Sequence, residues 1–172
     1  MKQGVFITGT DTEIGKTVIT TGLIAALRSE GYQIGGMKPV QSGAIRKEGQ
    51  LVAPDIEFLL NYTDLVEDYD LLNPIRLEPA LAPSVAAEVE EKEVDVAQIK
   101  RAYQLLQDKY QGLVVEGAGG LMVPLADDFL IPDLIELLNL PVIIVARPNL
   151  GTINHTVLTV KVAQNLGLNV LG

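Results

Sequence analysis

The chain has 172 residues, of which 48% are hydrophobic, 20% charged and 5% aromatic, with one His and no Cys. That length expects one domain with a mainly aliphatic core, and the composition excludes a disordered chain, disulfides, zinc–thiolate and iron–sulfur sites, thiol nucleophiles and any two-His metal site. A net charge of −9, from 13 basic and 22 acidic residues, sets it against nucleic-acid phosphates and anionic membranes unless a local basic patch forms. No apolar run approaches a membrane span. Met1-Lys2-Gln3-Gly4 leads into a strand-like run without signal-peptide architecture, so a cytoplasmic location is expected.

In chain order, Val5-Phe6-Ile7-Thr8 is short, apolar and β-rich. A polar, glycine-bearing turn follows, and Lys16-Thr17 opens a helical pattern. Val18, Leu23, Ile24 and Leu27 form its apolar stripe through Arg28, and Gly31 ends it. Tyr32–Met37 reads as a second strand, closed by Lys38-Pro39 because proline cannot donate to a ladder. Pro54–Tyr62 has a short helical pattern. Leu71–Pro83 reads as loop with short extended pieces, and Glu88–Asp95 as an acidic run. Asp95 is placed to cap a helix carrying Val96, Ile99, Tyr103, Leu106 and Tyr110. Leu113-Val114-Val115 is a buried-type strand ending in Glu116. Ile131–Leu138 is a helix, Pro141–Ala146 a buried strand and Thr152–Leu166 a helix. Asn169-Val170-Leu171-Gly172 begins a further strand. Continuous apolar strands separated by helices predict an α/β fold, a mostly parallel sheet with helices on both faces.

The strongest motif is Gly9-Thr10-Asp11-Thr12-Glu13-Ile14-Gly15-Lys16-Thr17. A glycine-bearing turn between strand and helix aims backbone N–H groups inward, and the helix N-terminus adds positive potential. Lys16 has the position that reaches β- and γ-phosphates, and Thr17 the hydroxyl that ligates Mg2+. The spacing departs from GxxxxGK[ST], because Thr10 stands where the first Gly belongs. An enlarged loop, or one with a polar turn residue, is implied.

Phosphate-bound Mg2+ takes hard oxygen ligands. Glu116 ends a buried strand, and in a parallel sheet the carboxyl strand ends face the ligand crevice. Asp55 opens a short helix and reads equally as a metal ligand or a cap. Lys38 ends a strand, where it is either solvated or a second cation over the γ-phosphate. Gln41-Ser42-Gly43 is not a nucleophile elbow, since Val40 replaces the required first Gly. Gly117-Ala118-Gly119-Gly120 is weak as a dinucleotide motif and better read as backbone approaching phosphate.

Together these segments resemble one family, the dethiobiotin synthetases of biotin biosynthesis. Thr8–Thr17 resembles its phosphate loop, Met37-Lys38-Pro39-Val40 with Ser42-Gly43 its second motif, Val115–Gly120 its third and Asn149–His155 its fourth. The resemblance implies a P-loop NTPase-like three-layer sandwich and an ATP- and Mg2+-dependent cyclo-ligase. That ligase would join 7,8-diaminononanoate and CO2 into a cyclic urea through a carbamate and a carbamic–phosphoric anhydride. By resemblance Lys16 and Lys38 clamp carbamate and γ-phosphate oxygens, and Thr17, Asp55 and Glu116 hold Mg2+. Glu13, Ile14, Gly15, Lys16, Thr17 and Val18 line the phosphates, with Asp55, Glu116, Gly117, Ala118 and Gly119 completing the nucleotide site. Thr12, Lys38 and Ser42 bind the diamine or its carbamate. A homodimer is implied, with Leu150, Gly151 and Asn154 of the second copy at the substrate carboxylate.

Ala82-Pro83-Ser84 stands where many members carry Pro-His. Residues 1–172 are expected to be one ATP-binding domain without the C-terminal elements that recognise adenine. The rival readings are a regulatory NTPase of the chromosome- or division-partitioning (ParA/MinD) kind and a nucleotide-gated binding module. The first requires a signature Lys five residues before Lys16, where Asp11 stands.

Overall fold

Residues 3–172 are described in the computed structural model of the chain. The first apolar run is strand β1 (Gln3–Gly9), and after the glycine-bearing turn comes helix α1 (Lys16–Ser29). Strand β2 (Ile34–Met37) follows, then a short strand β3 (Val40–Ser42) and the hairpin β4 (Ile45–Lys47) and β5 (Gln50–Val52). Next come helices α2 (Pro54–Tyr62) and α3 (Tyr69–Leu72), strand β6 (Ile75–Leu77), and helices α4 (Pro83–Val89) and α5 (Val96–Lys109). Strand β7 (Gly112–Glu116), the pair β8 (Pro124–Ala126) and β9 (Phe129–Leu130), helix α6 (Ile131–Leu138), strand β10 (Val142–Val145) and helix α7 (Thr152–Asn165) complete the chain.

The central sheet has the order β10-β1-β7-β2, and every pairing in it is parallel. Strand β1 lies between β7 and β10, with Phe6 level with both Val115 and Val142. Adjacent glycines in β2 show that both faces are covered. A Cβ on Gly35 would meet Tyr110 at the end of α5, and one on Gly36 would meet Leu59 of α2 and Ile24 of α1. Strands β2 and β7 are buried along their whole length, as the apolar runs predict. Val170 bridges to Val142 in parallel, outside β10, so the expected extension at the C-terminal end does begin there.

All four strands run the same way, so Gly9, Met37, Glu116 and Val145 end at one rim of the sheet. The polar segments after them therefore converge there, where ligands bind in open parallel sheets.

Two readings need correction, at Tyr32–Gln33 and at Val18. Tyr32 and Gln33 precede β2: the Tyr32 N–H bonds back to Leu27 and Ile34 to Tyr32, so the chain is still turning out of α1. Leu71–Pro83 is mostly loop with one short extended piece, as expected: it takes in the end of α3 and all of β6, which pairs in parallel with β3. The acidic run starts inside α4. Val18 does not join the stripe of α1: it is exposed, and the buried residues of that helix are Lys16, Thr20, Thr21 and Ile24. The Asp95 cap is present, its carboxylate accepting from the Gln98 N–H at 2.9 Å.

Candidate active site

The turn after β1 is bound to its neighbours on both sides. The Thr10 N–H donates to Val145 O at 3.0 Å, and the Leu121 N–H donates to Gly9 O at 3.2 Å. Gly15 sits at φ 98°, ψ 18° as the N-cap of α1 and offers no side-chain cap. That left-handed conformation suits glycine and leaves the first N–H groups of a 14-residue helix open to an anion. Lys16 is buried, and its ammonium donates to Asp11 O at 2.8 Å.

Beneath the turn lies a buried ionic cluster. The three protons of the Lys38 ammonium find three acceptors: Asp55 Oδ2 at 2.7 Å, Glu116 Oε1 at 2.8 Å and Gly117 O at 2.9 Å. The Thr17 hydroxyl donates to the same Glu116 Oε1 at 2.9 Å. Two ammonium groups and two carboxylates thus offset one another where unpaired charge would be costly. Burial pushes the Lys38 ammonium down, but Glu116 and Asp55 outweigh it and hold the group above an ordinary lysine. Burial raises the Asp55 carboxyl, and the charge and hydrogen bond of Lys38, with Thr17 and Lys16, bring it below the usual carboxylate range. Lys16 moves the other way. Burial first and the Lys38 charge second lower it to about 8, against the opposing pull of Glu116, Asp55 and Asp11.

Asp55 is not a helix cap, since Ala53 is the N-cap of α2, with no side-chain cap, and the Asp55 carboxylate is taken by Lys38. Thr17, Asp55 and Glu116 are hard oxygen donors around one point that already holds a cation, which fits a Mg2+ ion. Among the described residues no group of three or more His, Cys, Asp or Glu is gathered. Mg2+ shared with phosphates needs only one or two carboxylates and retains water.

A cavity of about 720 Å3 opens over the cluster. Thr12, Glu13, Ile14, Gly15, Lys16, Thr17, Lys38, Ser42, Asp55, Glu116, Ala118 and Gly119 line it, and Gln41, Gly43, Val123 and the segment 80–83 close its sides. Gly117 reaches the site through its carbonyl alone. Val18 is exposed and does not line the cavity. Leu150, Gly151 and Asn154 do not line the cavity; Leu150 is fully exposed, and Gly151 caps α7 at φ 96°.

Two contributors were not singled out from sequence. Asn73, completely buried, donates from Nδ2 to Lys38 O at 2.6 Å and to Ile75 O at 3.2 Å, fixing the backbone that carries Lys38. Arg147, just past β10, donates from Nη2 to Thr12 O at 2.7 Å and lies 3.9 Å from Asp11 Oδ2. Its position at a strand's carboxyl end was the available signal; Asn73 gave none.

A model described as an AAA domain matches residues 3–172. Among solved structures, the kinase domain of the Escherichia coli tyrosine kinase ETK aligns at TM-score 0.58 and 15% identity, covering 99% of this chain and 66% of that one. A ParA family ATPase from Chlorobium tepidum aligns at TM-score 0.54 and 14% identity, over 99% and 71%. These likenesses give the fold alone, a mostly parallel sheet with helices. Sequence gives more. The ATP-dependent dethiobiotin synthetase of Thermodesulfovibrio yellowstonii is 44% identical over all of this chain and 75% of its own length. That of Methanococcus vannielii is 46% identical over 98% and 76%, and that of Bacillus subtilis 42% over 99% and 72%. Identity at that level over nearly the whole chain places this chain in the family of ATP-dependent dethiobiotin synthetases.

Proposed function

We propose that this chain forms one ATP-binding domain that closes a cyclic urea on 7,8-diaminononanoate, consuming CO2 and ATP with Mg2+. The observation that supports this most directly is the meeting of Lys16, Lys38, Thr17, Asp55 and Glu116 beneath an anion-type turn, in a cavity that continues to Thr12 and Ser42.

One substrate amine adds to CO2 and loses a proton, giving a carbamate. A carbamate oxygen attacks the γ-phosphorus, the bond to the β–γ bridging oxygen breaks, and ADP leaves. The second amine attacks the carbamoyl carbon of the mixed anhydride, phosphate departs, and the ring closes. Such transfer depends on positioning and charge neutralisation. Backbone N–H groups of Glu13, Gly15 and the first turn of α1 hold phosphate oxygens. Lys16 and Lys38 take up charge as it spreads over the transferring group. Lys38 exchanges a carboxylate partner for a carbamate or phosphate oxygen as it does so. Thr12 and Ser42 orient the diamine. Thr17, Asp55 and Glu116 would hold Mg2+, which supplies neutralisation of the phosphate charge.

The active form is read as a homodimer. Leu150 and Ile153, 105% and 79% exposed, are large apolar side chains left in solvent at the start of α7. The uncapped N-terminus of α7 suits a carboxylate, and Gly151 and Asn154 would present it to the substrate of a second copy.

The deciding experiment is ATP turnover with diamine and bicarbonate omitted in turn. Turnover that requires both supports the reading. Turnover indifferent to them, or stimulated by DNA or vesicles, overturns it in favour of a regulatory NTPase.

A further inference from the structure

We infer that Arg147 is a positioning residue of the phosphate turn, setting the peptide between Thr12 and Glu13 and offsetting the charge of Asp11. This rests on the proposed use of that turn for a triphosphate.

The argument starts from the peptide itself. Among the described residues no peptide bond is cis, and in a trans peptide the C=O and the following N–H point in opposite directions. Arg147 Nη2 takes Thr12 O at 2.7 Å. A carbonyl drawn toward Arg147 sends the Glu13 N–H the other way, and Glu13 lines the cavity. Glu13 also sits at φ 56°, a conformation that costs a non-glycine residue free energy and persists only when its surroundings hold it. The Arg147 bond is one such constraint, applied on the peptide immediately before the strained residue.

The second observation concerns charge. Asp11 is exposed at the rim of a turn built for anions. Its Oδ1 accepts the Thr12 N–H at 2.7 Å, which holds the carboxylate beside the turn. Its Oδ2 lies 3.9 Å from Arg147. Without the guanidinium, only the Lys16 ammonium would offset that negative charge where a triphosphate has to approach. Arg147 is thus held at the turn by one hydrogen bond to a carbonyl, with a carboxylate 3.9 Å from the same Nη2. It also stands three residues before Leu150, so it links the turn to the segment read as serving the second copy.

The test compares Arg147→Ala, Arg147→Gln and Arg147→Lys with the unaltered chain. Binding of the Mg2+ complex of a non-hydrolysable ATP analogue is measured by calorimetry. KM for ATP and for the diamine are measured separately, together with melting temperature. The expected result is a roughly tenfold loss of analogue affinity and a matching rise in KM for ATP in Arg147→Ala, the scale of one charge-assisted hydrogen bond. KM for the diamine and the melting temperature stay near those of the parent. Arg147→Lys recovers part of the loss because it keeps the cation, and Arg147→Gln recovers less. If Arg147→Ala proves too unstable to assay, the ranking of Lys above Gln decides the matter. Unchanged analogue affinity, equal effects of Lys and Gln, or a loss confined to the diamine would overturn the assignment. The binding arm stands even if the unaltered chain fails to turn over diamine, so failure of the proposed activity is read separately.

Discussion

Lys16 and Lys38 lie in one cluster yet are pushed in opposite directions. Burial and the neighbouring Lys38 charge lower Lys16 to about 8, while two carboxylates hold Lys38 above its ordinary value. A triphosphate arriving at Lys16 favours the charged form and raises its pKa. Binding at about pH 8 should therefore take up roughly half a proton per nucleotide, falling toward zero near pH 6, where Lys16 is charged in both states. Apparent ATP affinity falls as pH rises through about 8. Calorimetry in buffers of different ionisation enthalpy checks this, and no uptake at either pH would mean Lys16 does not meet the phosphates. For Lys38 the expected outcome concerns stability. Lys38→Met leaves Asp55 and Glu116 without their buried cation, and breaking such a pair costs about 3 kcal/mol. Added Mg2+ satisfies the same oxygens, so it should stabilise Lys38→Met against urea more than the parent. Equal shifts would argue that the ion binds elsewhere.

At the scale of elements, the loop after β7 bears on the cluster through its close approach to β1. A Cβ on Gly117 would stand 2.8 Å from the Phe6 ring and 3.5 Å from Ile7 O, and a ring cannot yield as a flexible chain end does. Gly117→Ala should therefore cost about 1–3 kcal/mol by overpacking. It should also lower kcat, because the displaced segment carries Glu116 and the carbonyl that accepts from Lys38. Urea unfolding and steady-state assay measure the two effects. A normal kcat in a destabilised variant would separate this loop from the chemistry. The long elements were legible because their patterns are physical: β7 and β10 as continuous apolar runs, α5 as apolar residues at helical spacing with a capping Asp95. The stretch from Tyr69 to Val89 was not. The four residues of α3 and the three of β6 are too short for any periodicity to show. They are held by tertiary bonds such as the Lys38 N–H to Leu72 O, at 2.7 Å. Lys16 and Thr17 were legible in the turn motif, and Lys38 and Glu116 as strand ends, whereas Asp55 read equally as a helix cap. Arg147 was legible only as a cation at a strand's carboxyl end, and Asn73 not at all, because each acts through a carbonyl distant in sequence.

At the scale of the whole molecule, the sheet order brings a complete phosphate-type rim together within one chain, but leaves Leu150, Gly151 and Asn154 outside its cavity. The exposure of α7 suggests how they are used. Ile153 and Val157, one helical turn apart, are 79% and 51% exposed, next to a fully exposed Leu150. An apolar stripe of this kind marks an association surface more often than a solvated one. Ile153→Asp places a charge at its centre while leaving the chain's own core untouched, since that side chain is already in solvent. If the proposed homodimer forms through α7, sedimentation velocity should report a dimer for the parent and a monomer for the variant, with a melting temperature close to the parent's when extrapolated to low protein concentration. ATP-analogue binding should persist, because the turn and the ionic cluster belong to one copy. KM for the diamine should rise steeply, because the carboxylate end of the substrate loses the α7 N-terminus of the second copy. A variant that stays dimeric, or a monomer with an unchanged diamine KM, would remove α7 from the substrate site and leave its apolar stripe without an assigned role.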